Sequence, residues 1–443
     1  MSGLRQNNKK KLEEMTIFSY VKYISFCCGL AAVLSFFSPA NLSGSENAVY
    51  VWNRNWTPGI KESMAELRDY VNHYVVLCGE LKYSHNNWKA ASVKLKGAYF
   101  KEGMKVTLAV RVPEAANKPF SEGAFKDFAV LLGEVVDGAA KEVAQTGTAI
   151  EGLQIDYDCP TSKLNDYARL LTEIRRKFPD RKLSITALPT WLKSDSFKSL
   201  VAKTDYYILQ LHAFEVPKNP KHEGAIFLGP KAPVYVKAAD AINHPFFISL
   251  PTYGYEILYS ESGQFVGLHA EGPSYYPPYV SRRKIVTTKP DEILSFLNWL
   301  DGNKVANLTG ICWFRLPVDS DEFNWSVDSL KAVIQRRKPA LSFSVRHEYR
   351  DKNLVEVYLT NNGEQNTEKS VYFSIAWKGH GPAIHDVFGK YRELERSGNE
   401  ETEIVGPAPK TGHEIMVGWF RFDNFKNDKP SFEISRVEFY EKN

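Results

Sequence analysis

The sequence predicts an α/β chain in which a (β/α)8 TIM-like barrel is followed by a small C-terminal β-sandwich. Two observations carry that reading. Between residues 48 and 338, eight apolar strand-like runs alternate with amphipathic helix-like stretches, and that alternation requires parallel strands. After Lys338-Pro339 the helical period disappears, and short alternating strands broken by Asn-Gly, Gly-Pro and Lys-Pro signals take over. A doubly wound open sheet is the alternative for the first part.

The first element is an address. Residues 1–22 are polar and basic, with Arg5, Lys9, Lys10, Lys11 and Lys22, and an apolar stretch covers 23–37. At about 1.5 Å per residue that stretch spans about 22 Å, short of a hydrocarbon core of about 30 Å. The length suits a signal-peptide apolar region with Ser38-Pro39-Ala40 as the cleavage site, and an uncleaved anchor at 23–37 is the alternative. The expected organisation is therefore signal peptide or anchor at 1–40, barrel at 41–338 and sandwich at 339–443. The chain is expected to be exported, periplasmic or extracellular, with the inner membrane touched only through such an anchor. The formal charge of +4 comes mostly from residues 1–40, and the nearly neutral remainder argues against a nucleic-acid partner.

The strands follow at residues 49–54, 74–80, 105–111, 149–158, 183–189, 205–212, 246–253 and 309–315. Helical stretches lie at 60–72, 121–143, 164–177, 234–242, 290–300 and 327–337, with the weakest at 84–103. Pro290-Asp291-Glu292 is a favourable helix opening, because Pro needs no donor and the acids meet the positive end of the dipole. In the last part, strands are read at 341–345, 354–360, 371–377, 414–422 and 431–440. Cys78, Cys159 and Cys312 form neither a metal-ligand spacing nor a disulfide framework, and read as small buried hydrophobes. The sequence calls for no metal and no cofactor.

Strand residues two apart share a face, and inward side chains at the C-terminal ends of barrel strands build the site. On the fourth strand Leu153, Ile155 and Tyr157 would pack beneath helices, leaving Gln154, Asp156 and Asp158 inward. Two carboxylates so close cannot both ionise cheaply, so one pKa should rise toward that of a proton donor. Paired carboxylates of this kind are what glycosidic cleavage uses. The same counting brings Arg54, Glu80, Arg111, Gln210, His212, Tyr253 and Arg315 to the rim, with Trp313 as a floor beneath a sugar ring. The structural alternatives are an Asp paired with Arg54, Arg111 or Arg315, a packed histidine, and Trp313 as core filling.

The chain holds 9 Trp, 23 Tyr and 26 Phe, an excess that fills cores or stacks on sugars. The long connection 254–288 carries Tyr255, Tyr259, Phe265, His269, Tyr275, Tyr276 and Tyr279, with a hairpin signal at Ser262-Gly263. It is either a substrate wall or a self-packed subdomain.

The stretch from Glu151 to Asp158 resembles the strand-four signature of family 18 glycosidases, the chitinases and their relatives, which reads Asp-Gly-x-Asp-x-Asp-x-Glu. Gly152 and Asp156 match, Glu151 and Gln154 replace the first and middle Asp, and Asp158 stands at the catalytic Glu. The resemblance implies Asp158 as the acid and Asp156 as its supporting residue. It also sets Gln210 and His212 at the family's strand-six Met and Tyr, and Trp313 at its strand-eight Trp. Asp is one methylene shorter than Glu, which withdraws the proton donor by about 1.5 Å. The phrases IDYDCP (155–160), SITALPTWL (184–192), LPTYGY (250–255) and WFRLP (313–317) resemble a bacterial family catalogued as a domain of unknown function.

These residues lead to an exported glycoside-hydrolase-like protein acting on a polysaccharide. Asp158, Asp156 and Glu80 are its candidate catalytic residues. Trp313, Tyr253, Gln210, His212, Arg54, Arg111 and Arg315 are its candidate sugar contacts, the arginines hinting at an anionic or acetylated sugar. The alternative is a non-catalytic glycan-binding or cell-envelope protein on a degenerate glycosidase barrel.

Overall fold

The computed structural model describes residues 46–85, 87–113, 122–213, 220–221, 224–270, 276–378, 381–394, 400–423 and 431–440. The segment read as an export signal and Tyr275 lie outside the described residues. The chain opens with β1 (Glu46–Val51), α1 (Pro58–Leu67), β2 (His73–Ser84), β3 (Asn87–Ser92), β4 (Lys105–Val112) and α2 (Glu122–Ala144). It continues with β5 (Ala149–Tyr157), α3 (Leu164–Lys177), β6 (Lys182–Ala187), α4 (Asp195–Val201), β7 (Tyr206–Gln210), α5 (Ala232–Asp240) and β8 (Phe246–Pro251). After β9 (Gly254–Tyr259), β10 (Phe265–His269) and β11 (Arg282–Thr287) come α6 (Pro290–Asp301), β12 (Leu308–Phe314) and α7 (Val327–Ile334).

Eight of these strands run parallel in the order β1-β12-β8-β7-β6-β5-β4-β2, and β1 also pairs with β2, so the sheet closes into a barrel. Two apolar layers explain the closure. Outward residues such as Leu153, Ile155 and Tyr157 join Leu164, Tyr167, Leu171 and Ile174 of α3 in one buried shell. Each such side chain contributes on the order of 1.5–3 kcal/mol when fully buried. Inward residues Ala48, Tyr50, Val75, Leu77, Ala109, Ile208, Phe247 and Cys312 fill the barrel below its mouth. Gly152 has a packing role: a Cβ there would lie 2.7 Å from the Lys182 carbonyl oxygen, inside the β5–β6 contact. Cys78, Cys159 and Cys312 are buried and unbridged.

The stretch 84–103, read from sequence as a weak helix, folds instead as an antiparallel hairpin strand and a short 3-10 turn at Gly97–Tyr99. Strand β2 is long enough to outlast β1. It pairs with β1 as far as Val76 and then, on Gly79–Ser84, with β3. Between Leu77 and Gly79 the register against β4 slips by one residue, a bulge at Cys78. That slip keeps Cys78 in the outer shell and turns Glu80 to the inner face, where it pairs with Arg111. The hairpin then stands above the mouth. Its outer face, Leu81 and Trp88, is buried in the outer shell, with Trp88 4.7 Å from Phe128 of α2.

The aromatic connection 254–288 forms a three-stranded antiparallel sheet, β10-β9-β11, around its own cluster of Ile226, Tyr255, Ile257, Tyr259 and Val286. It is a self-packed unit, with Tyr276 and Tyr279 left exposed. After α7 come β13 (Phe343–Tyr349), β14 (Leu354–Asn361), β15 (Ser370–Trp377), β16 (Ile384–Val387), β17 (Arg392–Glu393), β18 (Glu401–Pro407), β19 (Glu414–Arg421) and β20 (Phe432–Tyr440). They form two four-stranded sheets, β13-β14-β19-β16 and β17-β18-β15-β20. Val355, Val357, Phe373, Ile375 and Phe420 share one buried cluster between the sheets, so this part is a β-sandwich.

Candidate active site

A cavity of about 760 Å3 opens where the barrel strands end. Strand β5 sends Asp156 into it from its last inward position, and Asp158 follows one residue beyond the strand. Thr186 of β6 donates a 2.8 Å hydrogen bond to Asp156. Gln210 of β7 donates to Asp158 at 3.3 Å. Burial first and the neighbouring Asp158 charge second raise the Asp156 pKa to about 6, against the smaller lowering effects of Thr186 and Arg111. The raised group is thus Asp156, the residue nearer the barrel interior. Gln154 lies deeper on the same face, fully buried, and accepts from the Tyr50 hydroxyl at 2.8 Å while donating to Ser184 at 3.4 Å.

The opposite wall is aromatic. Phe314 is its hub, with ring centroids 5.1 Å from His212, 5.6 Å from Tyr253, 5.7 Å from Trp52 and 5.2 Å from Tyr50. All five line the cavity. His212 holds Ser249 at 3.1 Å through Nε2, and burial lowers its pKa to about 4, so the ring is neutral near pH 7. Neutral imidazole can offer a hydrogen bond to a sugar hydroxyl but cannot supply a positive charge.

Eight of the ten residues selected from the sequence line this cavity: Asp156, Asp158, Gln210, His212, Tyr253, Arg54, Arg111 and Arg315. Trp313 does not. It is fully buried in the outer shell, donates to Asn47 at 3.1 Å and packs near Trp325, so the inward ring of this strand is Phe314. Glu80 is not in the lining either, because Arg54 holds it at 2.5 Å and Lys82 approaches it at 3.5 Å. Burial raises the Glu80 pKa, but the bond and charge of Arg54, helped by Lys82 and Arg111, outweigh that and leave it below the ordinary value. Arg315 is buried and pairs with Asp321 at 2.5 Å, adding a 3.0 Å bond to the Ala270 carbonyl. Tyr50, Trp52, Thr186 and Phe314 were passed over in the sequence. For Tyr50 and Trp52 the signal was available, since both share the two-residue period that selected Arg54.

Residues 130–319 match the model of a family described as Domain of unknown function (DUF3142). The DUF3142 match holds Asp156, Asp158, Thr186, Gln210, His212, Tyr253 and Phe314, whereas Arg54, Glu80 and Arg111 precede it. No curated protein matches the chain. Among solved structures, the spore cortex-lytic enzyme SleL of Bacillus megaterium is similar at 16% identity and TM-score 0.44, over 62% of this chain and 71% of that one. A chitinase from Chromobacterium violaceum is similar at 12% identity and TM-score 0.46, over 66% and 98%. A chitinase-like agglutinin from Robinia pseudoacacia is similar at 12% identity and TM-score 0.39, over 65% and 97%.

Proposed function

We propose that the protein is an exported glycan-processing enzyme of the glycoside-hydrolase type, acting on a polysaccharide. The observation that carries this reading is the Asp156–Asp158 pair, set in an open cavity opposite an aromatic wall. Glu80 holds Arg54 and Asp321 holds Arg315, while the Arg111 charge bears on Asp156. Below about pH 6 the pair holds a proton on Asp156, raised by burial and by the Asp158 charge, from which it passes to Asp158 in the reaction. Asp158, farther toward the opening, delivers it to the glycosidic oxygen as the C–O bond breaks, water adds to the anomeric carbon, and the proton that water loses returns to the pair. Phe314, Trp52 and Tyr253 offer faces on which a sugar ring stacks.

The test is Asp158→Asn, assayed by reducing-end release on a glycan that the unmodified protein cleaves. A loss of about 100-fold or more is expected, with binding retained; unchanged turnover overturns the assignment. One observation favours a second reading, non-catalytic glycan binding. Gln154, at the middle acid position of the family 18 signature, is a buried amide locked between Tyr50 and Ser184. Tight glycan binding by the unmodified protein, with no product after long incubation, would decide for it.

A further inference from the structure

The hairpin above the mouth has two unlike faces. Leu81 and Trp88 are buried on its outer face. On its inner face Glu80 and Lys82 are two apart, and Lys82 stands directly opposite Lys89 across the antiparallel pair, so the three side chains share that face. Lys82 and Lys89 are both exposed. Two like charges placed directly opposite each other destabilise a hairpin, so the arrangement needs a counter-charge.

Beside them stand Arg54 and Arg111, both in the cavity lining. Arg54, Lys82 and Arg111 act on the Glu80 carboxylate, which bonds Arg54 at 2.5 Å and approaches Lys82 at 3.5 Å, and Lys89 stands opposite Lys82. Glu80 offsets one of these four cations and Asp156, when ionised, another, which leaves the sector positive among the described residues. This cationic sector adjoins the acid pair directly, since Arg111 of β4 and Asp156 of β5 are partners in register.

We propose that the β2–β3 hairpin and the adjoining arginines form a subsite for the acidic group of a carboxylated glycan, next to the cleavage point. The substrate is then a polysaccharide carrying uronic-acid carboxylates. Glu80 is a positioning residue that holds Arg54 and Lys82 in place. Arginine presents a planar fork that fits a carboxylate, and the two lysines supply the longer-range attraction. The subsite rests on the glycan-processing reading of the cavity but makes its own claim about binding.

The experiment titrates the Asp158→Asn protein calorimetrically with galacturonate, glucuronate and mannuronate oligosaccharides, each beside its methyl ester. At least one acid form should bind about tenfold or more tighter than its ester, with affinity falling as salt is raised. Combined Lys82→Ala and Lys89→Ala, at exposed positions, should reduce that difference about threefold, and Arg111→Gln should remove most of it. If no acid differs from its ester by more than twofold, or if the difference survives both the loss of the two lysines and Arg111→Gln, the subsite is refuted. Acid-selective binding without turnover by the unmodified protein would overturn the hydrolase reading and leave the subsite standing. Turnover of glycans without acid preference would do the reverse.

Discussion

The placement of Asp156 costs stability. Its folded pKa of about 6 lies above the ordinary carboxyl value of 3.8, so the folded chain binds its proton more tightly than the unfolded chain does. That stabilisation is complete below the ordinary value and is lost as pH rises through about 6, on the order of 3 kcal/mol in all. Asp156→Asn removes the penalty. The variant should match the parent in denaturant melts at pH 4 and exceed it by roughly that amount at pH 8. It should also move the alkaline limb of kcat/KM to lower pH, because Asp158 loses the neighbouring charge that held the proton. Equal stability of the two proteins at pH 8 would contradict the burial argument. At this scale the sequence was readable where polarity alternates: Leu153, Ile155 and Tyr157 against Gln154, Asp156 and Asp158 define both faces of β5. On β12 it was not, since Ile311, Cys312, Trp313 and Phe314 are all apolar and no polar residue marks the inner side.

Elements were legible where a period or a turn signal ran long enough. Strands and amphipathic helices around the barrel were readable, and so was the Ser262-Gly263 turn, where Gly263 adopts φ +80°. The β2–β3 hairpin was not, because its turn contains no glycine and instead places His85 at φ +51°. Its alanines also mimic helix propensity. What holds the hairpin down is a tertiary contact invisible in local sequence, the seat of Trp88 on Phe128 and Tyr83. Trp88→Ala should destabilise the protein by about 3 kcal/mol, the low end for a buried Trp because the hairpin lies at the edge of the core. Chemical denaturation measures it, and a loss below about 1 kcal/mol would mean that other contacts anchor the hairpin.

Across the whole molecule, barrel and sandwich are tied by a small polar clasp. Glu364 accepts from Arg337 at 2.6 Å and from the Ala340 N–H at 2.9 Å, and its own carbonyl accepts from Ser329 of α7 at 2.7 Å. Lys410 donates to the Asp319 carbonyl at 2.8 Å. The Arg337 bond, with the Ala340 N–H, holds the Glu364 carboxyl below its ordinary value despite some burial. The clasp therefore acts above the ordinary carboxyl range and fades as pH falls through that lowered value. Glu364→Ala should cost about 1 kcal/mol at pH 7 and nothing once the carboxyl is protonated. Calorimetry at pH 7 and pH 3 measures both, and an unchanged transition at pH 7 would show that apolar packing alone joins the two parts. None of this was legible from the sequence, because the partners lie tens of residues apart.

The bulge at Cys78 gives chain length a role that composition does not have. One supernumerary residue decides which way every later side chain of β2 points. Were the bulge ironed out, with Cys78 and Gly79 on opposite faces, Lys82 and Lys89 would turn toward α2 and Trp88 over the cavity, without a change in any side chain. Removing Cys78 outright would instead leave both faces as they are, because Gly79 then follows Leu77 in regular alternation. Where the bulge sits, and not only which residues follow it, therefore decides which of the hairpin's two faces looks over the cavity.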